Sequence, residues 1–310
     1  MDASRHLGLD LGATNLKWAL LERRGDAWSI RDRGQTPTGA DEGADAVLDR
    51  MAALVGEASA GADAPGTVGV GVPGLYDAER GTTTFLPNLP PEWTNLPVVA
   101  ELGRRVGMPV RLVNDARAFG LAELWLGAGR GCRTMAGFVL GTGVGGVVVV
   151  DGHVHFGHDG TGGELGHQTL LPDGPPCTCG NRGCLEAFAR ADRIAAACGT
   201  DTPEEAVRAA RAGDETAIAG LARIGSWLGI AVANVAVTLT PERVVIGGGV
   251  AQAGDLLLEP VRAEVRRRVH VTDLAQLEIV PAELGPWAGA IGAGVHGASV
   301  AAVTPSRLAS

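Results

Sequence analysis

Lysine is almost absent from this chain of 310 residues. The basic residues number 26, and all of them except Lys17 are arginine. Because Lys17 follows a leucine, the chain has no Gly-Lys-Ser or Gly-Lys-Thr sequence and therefore no Walker A phosphate loop. The 35 acidic residues bring the net charge to −9. This excess of negative charge disfavours a nucleic-acid partner, which proteins normally contact with a basic surface.

Signals for export or membrane insertion are also lacking. Residues 1–10 (MDASRHLGLD) contain neither an apolar core nor a small-residue cleavage site, so we expect no secretory signal. The apolar stretch 135–150 is shorter than the about 20 residues of a membrane span and is expected to form buried strands. We therefore expect a cytoplasmic protein with no membrane partner.

Cysteine is scarce, and its distribution is uneven. Of the five cysteines, Cys177, Cys179 and Cys184 lie close together, and His167 precedes them. An odd, clustered set disfavours a disulfide framework. One imidazole and three thiolates would complete a closed tetrahedral site, which is typical of structural Zn²⁺. Buried free thiols are the alternative. A second group, His153, His155 and His158, is better explained as solvated surface histidines.

Glycine, by contrast, is abundant at 47 residues. Strand patterns alternate with helix patterns, which predicts an α/β protein, and the length favours two domains. A strand, a glycine-containing turn and a second strand occur at 7–21 and again at 134–150, which suggests two related halves. We expect a loop over 81–91 and one continuous helix over 185–198.

Three G-x-G-x-x-G matches occur, at Gly69, Gly141 and Gly292, but none opens a helix after a strand. A Rossmann dinucleotide site is therefore disfavoured. The turns at 10–15 and 141–146 instead suit phosphate binding through backbone N–H groups, with a carboxylate nearby for Mg²⁺. The alternative for each is an ordinary hairpin turn.

Asp115 is the candidate general base. The strand 110–113 ends in Asn114-Asp115, and an alanine-rich helix follows. A carboxylate at such a strand end is well placed to accept a proton from a substrate hydroxyl. The alternative is that Asp115 only caps the helix.

Taken together, these motifs resemble the ROK family of sugar kinases and repressors. The resemblance rests on DLGATNLKW (10–18), PNLPPEW (87–93), NDA (114–116), GTGVGG (141–146), GELGHQTLLPDGPPCTCGNRGCLEAFA (163–189), GGGV (247–250) and GPWAGAIGA (285–293). It implies the actin-like, two-domain α/β fold of the hexokinase superfamily, with the active site in a cleft. The expected domains are 1–116 and 117–294, with a zinc loop at 163–186. A C-terminal helix at about 295–310 would pack back on the first domain.

The resemblance also implies roles for individual residues. Asp115 would be the catalytic base, and the sugar would be bound by Asn88, Asn114, Asp115, Glu164, His167 and Glu186. ATP and Mg²⁺ would be bound by Asp10, Gly12, Thr14, Asn15, Lys17, Gly141, Thr142, Gly143, Gly248 and Gly249. Zn²⁺ would be held by His167, Cys177, Cys179 and Cys184. The other ring nitrogen of His167 would face the sugar.

The expected function is ATP-dependent phosphorylation of a hexose, with glucose at its 6-hydroxyl as first choice. N-acetylmannosamine, N-acetylglucosamine, fructose and sugar-like cyclitols are alternatives, and Gln168 weakens the choice of glucose. Polyphosphate is an alternative donor. A repressor is disfavoured, because ROK repressors carry an N-terminal DNA-binding region and only nine residues precede Asp10. A catalytically silent sugar sensor is disfavoured because Asp10, Asp115 and both phosphate loops are retained. Family resemblance also implies a homodimer or homotetramer.

Overall fold

The structure is a computed structural model that describes residues 3–60, 64–87 and 89–299. Packing divides the chain into two compact units. The first contains the residues up to Val113 together with those from Ala293 onward, and the second is Asn114–Gly292. Asn88, and residues 300–310 of the expected C-terminal helix, lie outside the described residues.

The first unit is built around a five-stranded sheet. Its elements are β1 (Ser4–Leu11), β2 (Asn15–Arg24), β3 (Ala27–Pro37), α1 (Ala44–Ala58), β4 (Thr67–Val72), β5 (Leu75–Asp77), β6 (Thr82–Phe85), α2 (Val98–Val106) and β7 (Val110–Asn114). The sheet has the order β3-β2-β1-β4-β7, with β1 antiparallel to β2 and parallel to β4. Leu7 and Leu9 of β1 are fully buried and pack into the core of this unit with Met51 of α1.

The second unit contains another five-stranded sheet. Its elements are α3 (Asp115–Leu126), β8 (Met135–Leu140), β9 (Val144–Val150), β10 (His153–Val154), α4 (Glu186–Ala189), α5 (Ala191–Cys198), α6 (Pro203–Arg211), α7 (Glu215–Leu239), β11 (Arg243–Gly247), α8 (Asp255–Arg268), β12 (Glu278–Pro281) and the start of α9 (Ala288–Ala298). From Ala293 onward, α9 belongs to the first unit. The order β10-β9-β8-β11-β12 repeats that of the first sheet, with β8 antiparallel to β9 and parallel to β11. The structure thus confirms two related halves.

The long helix α7 lies in the core of the second unit. Leu221, Leu228 and Val232 are fully buried there. Among the described residues, α7 is the one helix with the length and apolar composition to cross a membrane, and 56% of its most apolar window is buried inside the protein. This degree of burial is typical of a helix in a protein core, and we assign α7 to the core of the second unit.

Two expectations about local structure were wrong. The expected loop over 81–91 contains β6, which pairs with β5 in a small separate sheet. The expected helix over 185–198 is broken at Arg190, whose backbone is extended. The break lets the Ala191 N–H donate to the Gly141 carbonyl at 2.9 Å, so a long-range hydrogen bond replaces the local helical one.

The last turns of α9 pack on the sheet of the first unit. A methyl group built on Gly297 would lie 2.7 Å from the backbone nitrogen of Gly69 in β4, and one on Gly294 would lie 2.8 Å from a Leu21 methyl group. Only glycine permits such close packing of a helix on a strand.

Candidate functional site

The first candidate phosphate turn joins β1 to β2. The Gly12 N–H is shared between the carbonyls of Asp10 and Asn15, each at 3.2 Å, which makes the turn tight. The Thr38 hydroxyl donates to the Gly12 carbonyl at 2.6 Å and holds the turn from outside. The Thr14 side chain is exposed at its tip. This turn can therefore offer backbone N–H groups and a hydroxyl to an anion.

Asp10 and Lys17 flank this turn as register partners in the β1–β2 hairpin. Their charged groups are 4.0 Å apart. Burial raises the pKa of the Asp10 carboxyl, and the neighbouring Lys17 partly offsets this effect. A partly buried carboxylate beside an exposed turn is suited to hold a divalent cation, whose charge would favour the ionised form.

The second glycine turn joins β8 to β9 and packs closely on several elements. Methyl groups built on Gly143, Gly145 and Gly146 would lie 2.5 Å from Glu186 Oε2, 2.8 Å from the Ala116 methyl group and 2.5 Å from the Gly163 carbonyl oxygen, respectively. Gly141 and Thr142, at the tip, are exposed. The glycines therefore bring the start of α3, the 163–165 segment and Glu186 around one turn.

The Gly247–Gly249 turn lies at the same edge of the second sheet. β8 and β11 are parallel, and Val139 is the register partner of Gly247, so their carboxyl ends are neighbours. Gly248 has a φ of +92°, and a methyl group there would lie 1.9 Å from the Leu140 carbonyl oxygen. In α/β sheets, ligands bind beyond the carboxyl ends of the strands.

Asp115 is exposed at the first position of α3, and Asn114 is the residue that caps this helix. The Asn114 Oδ1 atom accepts from the backbone N–H groups of Ala116 at 3.0 Å and Arg117 at 3.3 Å. Asp115 Oδ1 also accepts from the Ala116 N–H, at 2.8 Å. Since Asn114 performs the capping, the helix does not depend on Asp115 for its N-terminus.

Arg117 is a buried residue that sequence reasoning missed. Its side chain is 2% exposed, and its guanidinium donates to Asn114 Oδ1 at 2.9 Å and to Glu164 Oε1 at 2.7 Å. Further bonds reach the carbonyls of Thr161 at 2.8 Å and Gly162 at 2.7 Å. In the sequence, the one local indication of this role is that Arg117 stands among apolar residues in the first turns of α3.

Glu186, at the start of α4, is buried and links the second glycine turn to the cysteine loop. Its Oε2 accepts from the Val144 N–H at 2.9 Å, and its Oε1 accepts from the Thr178 hydroxyl at 3.0 Å. The Cys177 thiol donates to the same Oε1 at 3.7 Å. Glu186 therefore contacts the turn proposed for phosphate and the loop proposed for zinc.

The four expected metal ligands converge. The ligand atoms of His167, Cys177, Cys179 and Cys184 all lie within 4.8 Å of one another. The Cys179 and Cys184 sulfurs are 3.8 Å apart, and His167 Nδ1 is 3.6 Å from the Cys177 sulfur. Tetrahedral Zn²⁺ with bonds of about 2.3 Å to sulfur and about 2.1 Å to nitrogen gives separations of about 3.8 and 3.6 Å. The donor set therefore fits zinc in chemistry and in size.

The surroundings of the sulfurs act in both directions on formation of the thiolates that Zn²⁺ binds. Burial raises the pKa of the Cys177 thiol to about 12 and also raises that of Cys184. A hydrogen bond from the Asn181 backbone lowers the pKa of Cys179. The Asn181 side-chain amide donates to the Cys184 sulfur at 3.5 Å. Bonds of this kind orient metal ligands and stabilise thiolates.

Glu123 is the second buried charged residue that sequence reasoning missed. It is 0% exposed in α3, and its carboxylate accepts from the backbone N–H groups of Ala128 at 2.8 Å, Glu283 at 3.1 Å and Leu284 at 3.0 Å. It thereby holds the segment leading into Gly285–Trp287 and α9.

The remaining expectations have simple outcomes. Asn88 lies outside the described residues. Among the described residues, one cluster of metal-ligating side chains occurs, and it contains His167 and the three nearby cysteines. His153, His155 and His158 do not form a second one. His153 instead contacts the Asp151 carbonyl through Nδ1 at 2.8 Å.

Comparison with known proteins gives a consistent result. The model of the ROK family matches residues 6–296. A glucokinase of Thermotoga maritima is 39% identical over 306 residues, covering 93% of this chain and 95% of the relative.

Solved structures agree. A ROK hexokinase from Thermus thermophilus superposes with a TM-score of 0.80 at 33% identity, over 94% of this chain and 97% of that one. A ROK glucokinase from Streptomyces griseus, in complex with glucose and AMPPNP, has a TM-score of 0.78 at 28% identity, over 95% and 99% of the two chains. The fold is accordingly the actin-like α/β fold of these hexokinases, and the chain belongs to the ROK family.

Proposed function

We propose that this protein transfers the terminal phosphoryl group of ATP to a hexose, with the 6-hydroxyl of glucose as the acceptor. The observation that carries the proposal is the exposed Asp115 carboxylate beside Asn114, which caps α3 in its place. The glucokinase relative and the glucose- and AMPPNP-bound neighbour support the choice of donor and acceptor.

Asp115 accepts the proton from the attacking hydroxyl in this proposal. Phosphoryl transfer requires positioning and charge neutralisation more than covalent chemistry, so one carboxylate base is sufficient. Asn114, Glu164, His167 and Glu186 bind the other hydroxyls, together with Asn88. The Glu164 and Glu186 carboxylates are acceptors for sugar O–H groups, and both contact the framework around the second glycine turn.

Two glycine turns are assigned to phosphate binding in this proposal. The residues are Asp10, Gly12, Thr14, Asn15 and Lys17 in the first, and Gly141, Thr142 and Gly143 in the second. Gly248, Gly249 and the 285–293 segment line the adenosine. Mg²⁺, held through Asp10, would offset the phosphate charge. Burial raises the pKa of the Asp10 carboxyl, and a bound cation would offset this by favouring the ionised form.

Zn²⁺ has a structural role in this proposal. It would be held by His167, Cys177, Cys179 and Cys184, and with no open coordination position it would only fix the loop. Nδ1 is the ring nitrogen of His167 that faces the cysteines. The zinc would thereby fix the orientation of Nε2, the nitrogen assigned to the sugar.

The cellular setting belongs to the same proposal. Clustered thiols suit a reducing compartment, so we place the protein in the cytoplasm. The family resemblance supports a homodimer or homotetramer, which gel filtration with light scattering measures directly.

The substrate assignment is tested by ADP release over a panel of hexoses, amino sugars and cyclitols, with ATP or polyphosphate as donor. We expect glucose and ATP to give the highest kcat/KM. Turnover restricted to an acetamido sugar, a cyclitol or polyphosphate would contradict the assignment. Absence of turnover with every sugar would contradict the kinase function itself.

The base is tested by the Asp115→Asn variant. We expect kcat to fall by about 10²–10⁴-fold, because a positioned base contributes about that much. Glucose affinity, measured by calorimetry, should change little. The matched control is Asp201→Asn, at an exposed position of the same unit. Near-normal turnover by Asp115→Asn would show that another group is the base.

A further inference from the structure

We propose that Arg117 is the positioning residue that sets the orientation of Asn114 and Glu164 toward the sugar, and so determines sugar affinity. The inference rests on the proposed function, since it assigns sugar binding to these two side chains. Arg117 itself is only 2% exposed and is enclosed by protein groups.

The guanidinium of Arg117 has five N–H donors in a fixed plane, and the structure gives five acceptor contacts. Nε donates to the Gly162 carbonyl at 3.0 Å, Nη1 donates to Asn114 and Glu164, and Nη2 donates to Thr161 and Gly162. Its charge is paired with the Glu164 carboxylate at 2.7 Å. Because every N–H donor of this buried guanidinium has an acceptor, its side chain is held in one orientation. It can therefore fix the orientation of the side chains that it binds.

The first group fixed by Arg117 is the Asn114 amide. Asn114 Oδ1 accepts from two backbone N–H groups of α3 and from Arg117 Nη1 at 2.9 Å. Three donors around one oxygen determine which end of the amide is the oxygen and which is the NH₂ group. The NH₂ end of the Asn114 amide therefore points away from these three donors.

The second group is Glu164 with the loop that carries it. Arg117 binds Glu164 through Oε1 and binds the carbonyls of Thr161 and Gly162 immediately before it. Gly163 lies between them with a φ of +93°, and its carbonyl oxygen packs against Gly146. The loop is thus held on both sides, and the Glu164 side chain is 37% exposed.

A lysine at this position would keep the positive charge but would lose the planar set of N–H donors that a guanidinium provides. Its ammonium group has three donors and no fixed plane, so it cannot bind Asn114, Glu164 and the two carbonyls together. The Arg117→Lys variant therefore separates geometry from charge. Because Asn114 and Glu164 contact the sugar before and during transfer, the effect should fall on sugar KM more than on kcat.

The test is a kinetic comparison of wild type and Arg117→Lys, with Arg208→Lys as the control on an exposed arginine of α6. We expect the sugar KM of Arg117→Lys to rise about tenfold or more, with the ATP KM within about twofold and kcat within about threefold. Arg208→Lys should match wild type. An unchanged sugar KM, with or without a lower Tm, would overturn the inference.

A double-mutant cycle with Glu164→Gln tests whether Arg117 acts through Glu164. We expect the KM increases of the two single variants to combine to less than their product, because residues in contact couple. If the KM increase of the double variant equals the product of the two single increases, Arg117 does not act through Glu164.

Hydrogen exchange separates failure of this inference from failure of the proposed function. We expect the amides of 161–164 to exchange faster in Arg117→Lys than in wild type, whatever the substrate is. If wild type phosphorylates no sugar, the kinase proposal fails, and faster exchange of this loop still supports Arg117 as the residue that holds it. Unchanged exchange of 161–164 would overturn the positioning role.

Discussion

Single charged side chains hold the glycine-rich backbone of this protein in place. Glu186 binds the Val144 N–H beyond the second glycine turn, Glu123 binds the N–H groups of Glu283 and Leu284, and Arg117 binds the carbonyls before Glu164. Glycine turns have no side chains that could satisfy nearby peptide groups, and buried peptide groups need partners. Charged residues from other elements supply those partners.

His296 is a single residue whose burial should make stability depend on pH. Burial and the neighbouring Arg111 charge lower its pKa from 6.5 to about 4. The depressed pKa means that the unfolded chain takes up the proton first, so stability is full above about pH 6.5 and falls as the pH decreases toward 4. The loss from this group is about 2 kcal/mol by pH 5.

The measurement is urea unfolding of wild type and His296→Gln at pH 7 and pH 5. We expect the wild type to lose about 2 kcal/mol more than the variant over this interval. Val295→Ala, at the preceding buried position, is the control for a general loss of packing. Parallel losses in wild type and His296→Gln would show that His296 does not titrate in this range.

At the scale of elements, the 163–186 loop is held by scattered backbone hydrogen bonds and by side chains, with no regular sheet. The bridges Thr169–Cys184 and Pro176–Arg182 are isolated pairs and not part of a regular sheet. The four converging ligands of this loop supply the additional cross-links that a bound metal would close. A bound Zn²⁺ would therefore add to the order of this loop.

Zinc removal is therefore expected to weaken sugar binding. We expect one zinc per chain by metal analysis, and the Cys179→Ser variant should lose the metal and show a raised sugar KM, because His167 would no longer be fixed. Cys132→Ser, at a buried thiol outside the ligand set, should retain the metal. A zinc-free protein with unchanged sugar KM and kcat would contradict the structural role.

At the scale of the whole molecule, the two units have separate cores, and α7 organises the larger one. Its residues Val232 and Val237 differ sharply in surroundings, since Val232 is 0% exposed and Val237 is 46% exposed. Val232 is therefore a core position of α7, and Val237 is a surface position.

The Val232→Asp and Val237→Asp pair tests this organisation. We expect Val232→Asp to destabilise the protein by about 3 kcal/mol or more, because it buries an unpaired carboxylate. Val237→Asp should change stability by less than about 0.5 kcal/mol and leave the soluble yield unchanged. The readout is soluble yield and the free energy of unfolding. Equal damage from both substitutions would contradict the assignment of α7 to the core.

The sequence by itself determined the features that depend on neighbouring residues. The α/β class, the extent of α7 and the two hairpins with glycine turns follow from periodicity and turn chemistry, which act over a few residues. The three cysteine ligands also lie close together in the chain, so their convergence requires only one compact loop. The family resemblance follows from the same local motifs.

Only the tertiary structure decided which distant groups meet. Arg117 binds Glu164 across 47 positions, and Glu123 binds Glu283 across 160. The break at Arg190 likewise depends on the distant Gly141 carbonyl. Local sequence marks a buried charge as unusual but does not identify its partner. The partner is determined by which loops the fold of the second unit brings together, because burial requires a satisfied charge and the fold alone supplies the groups within reach.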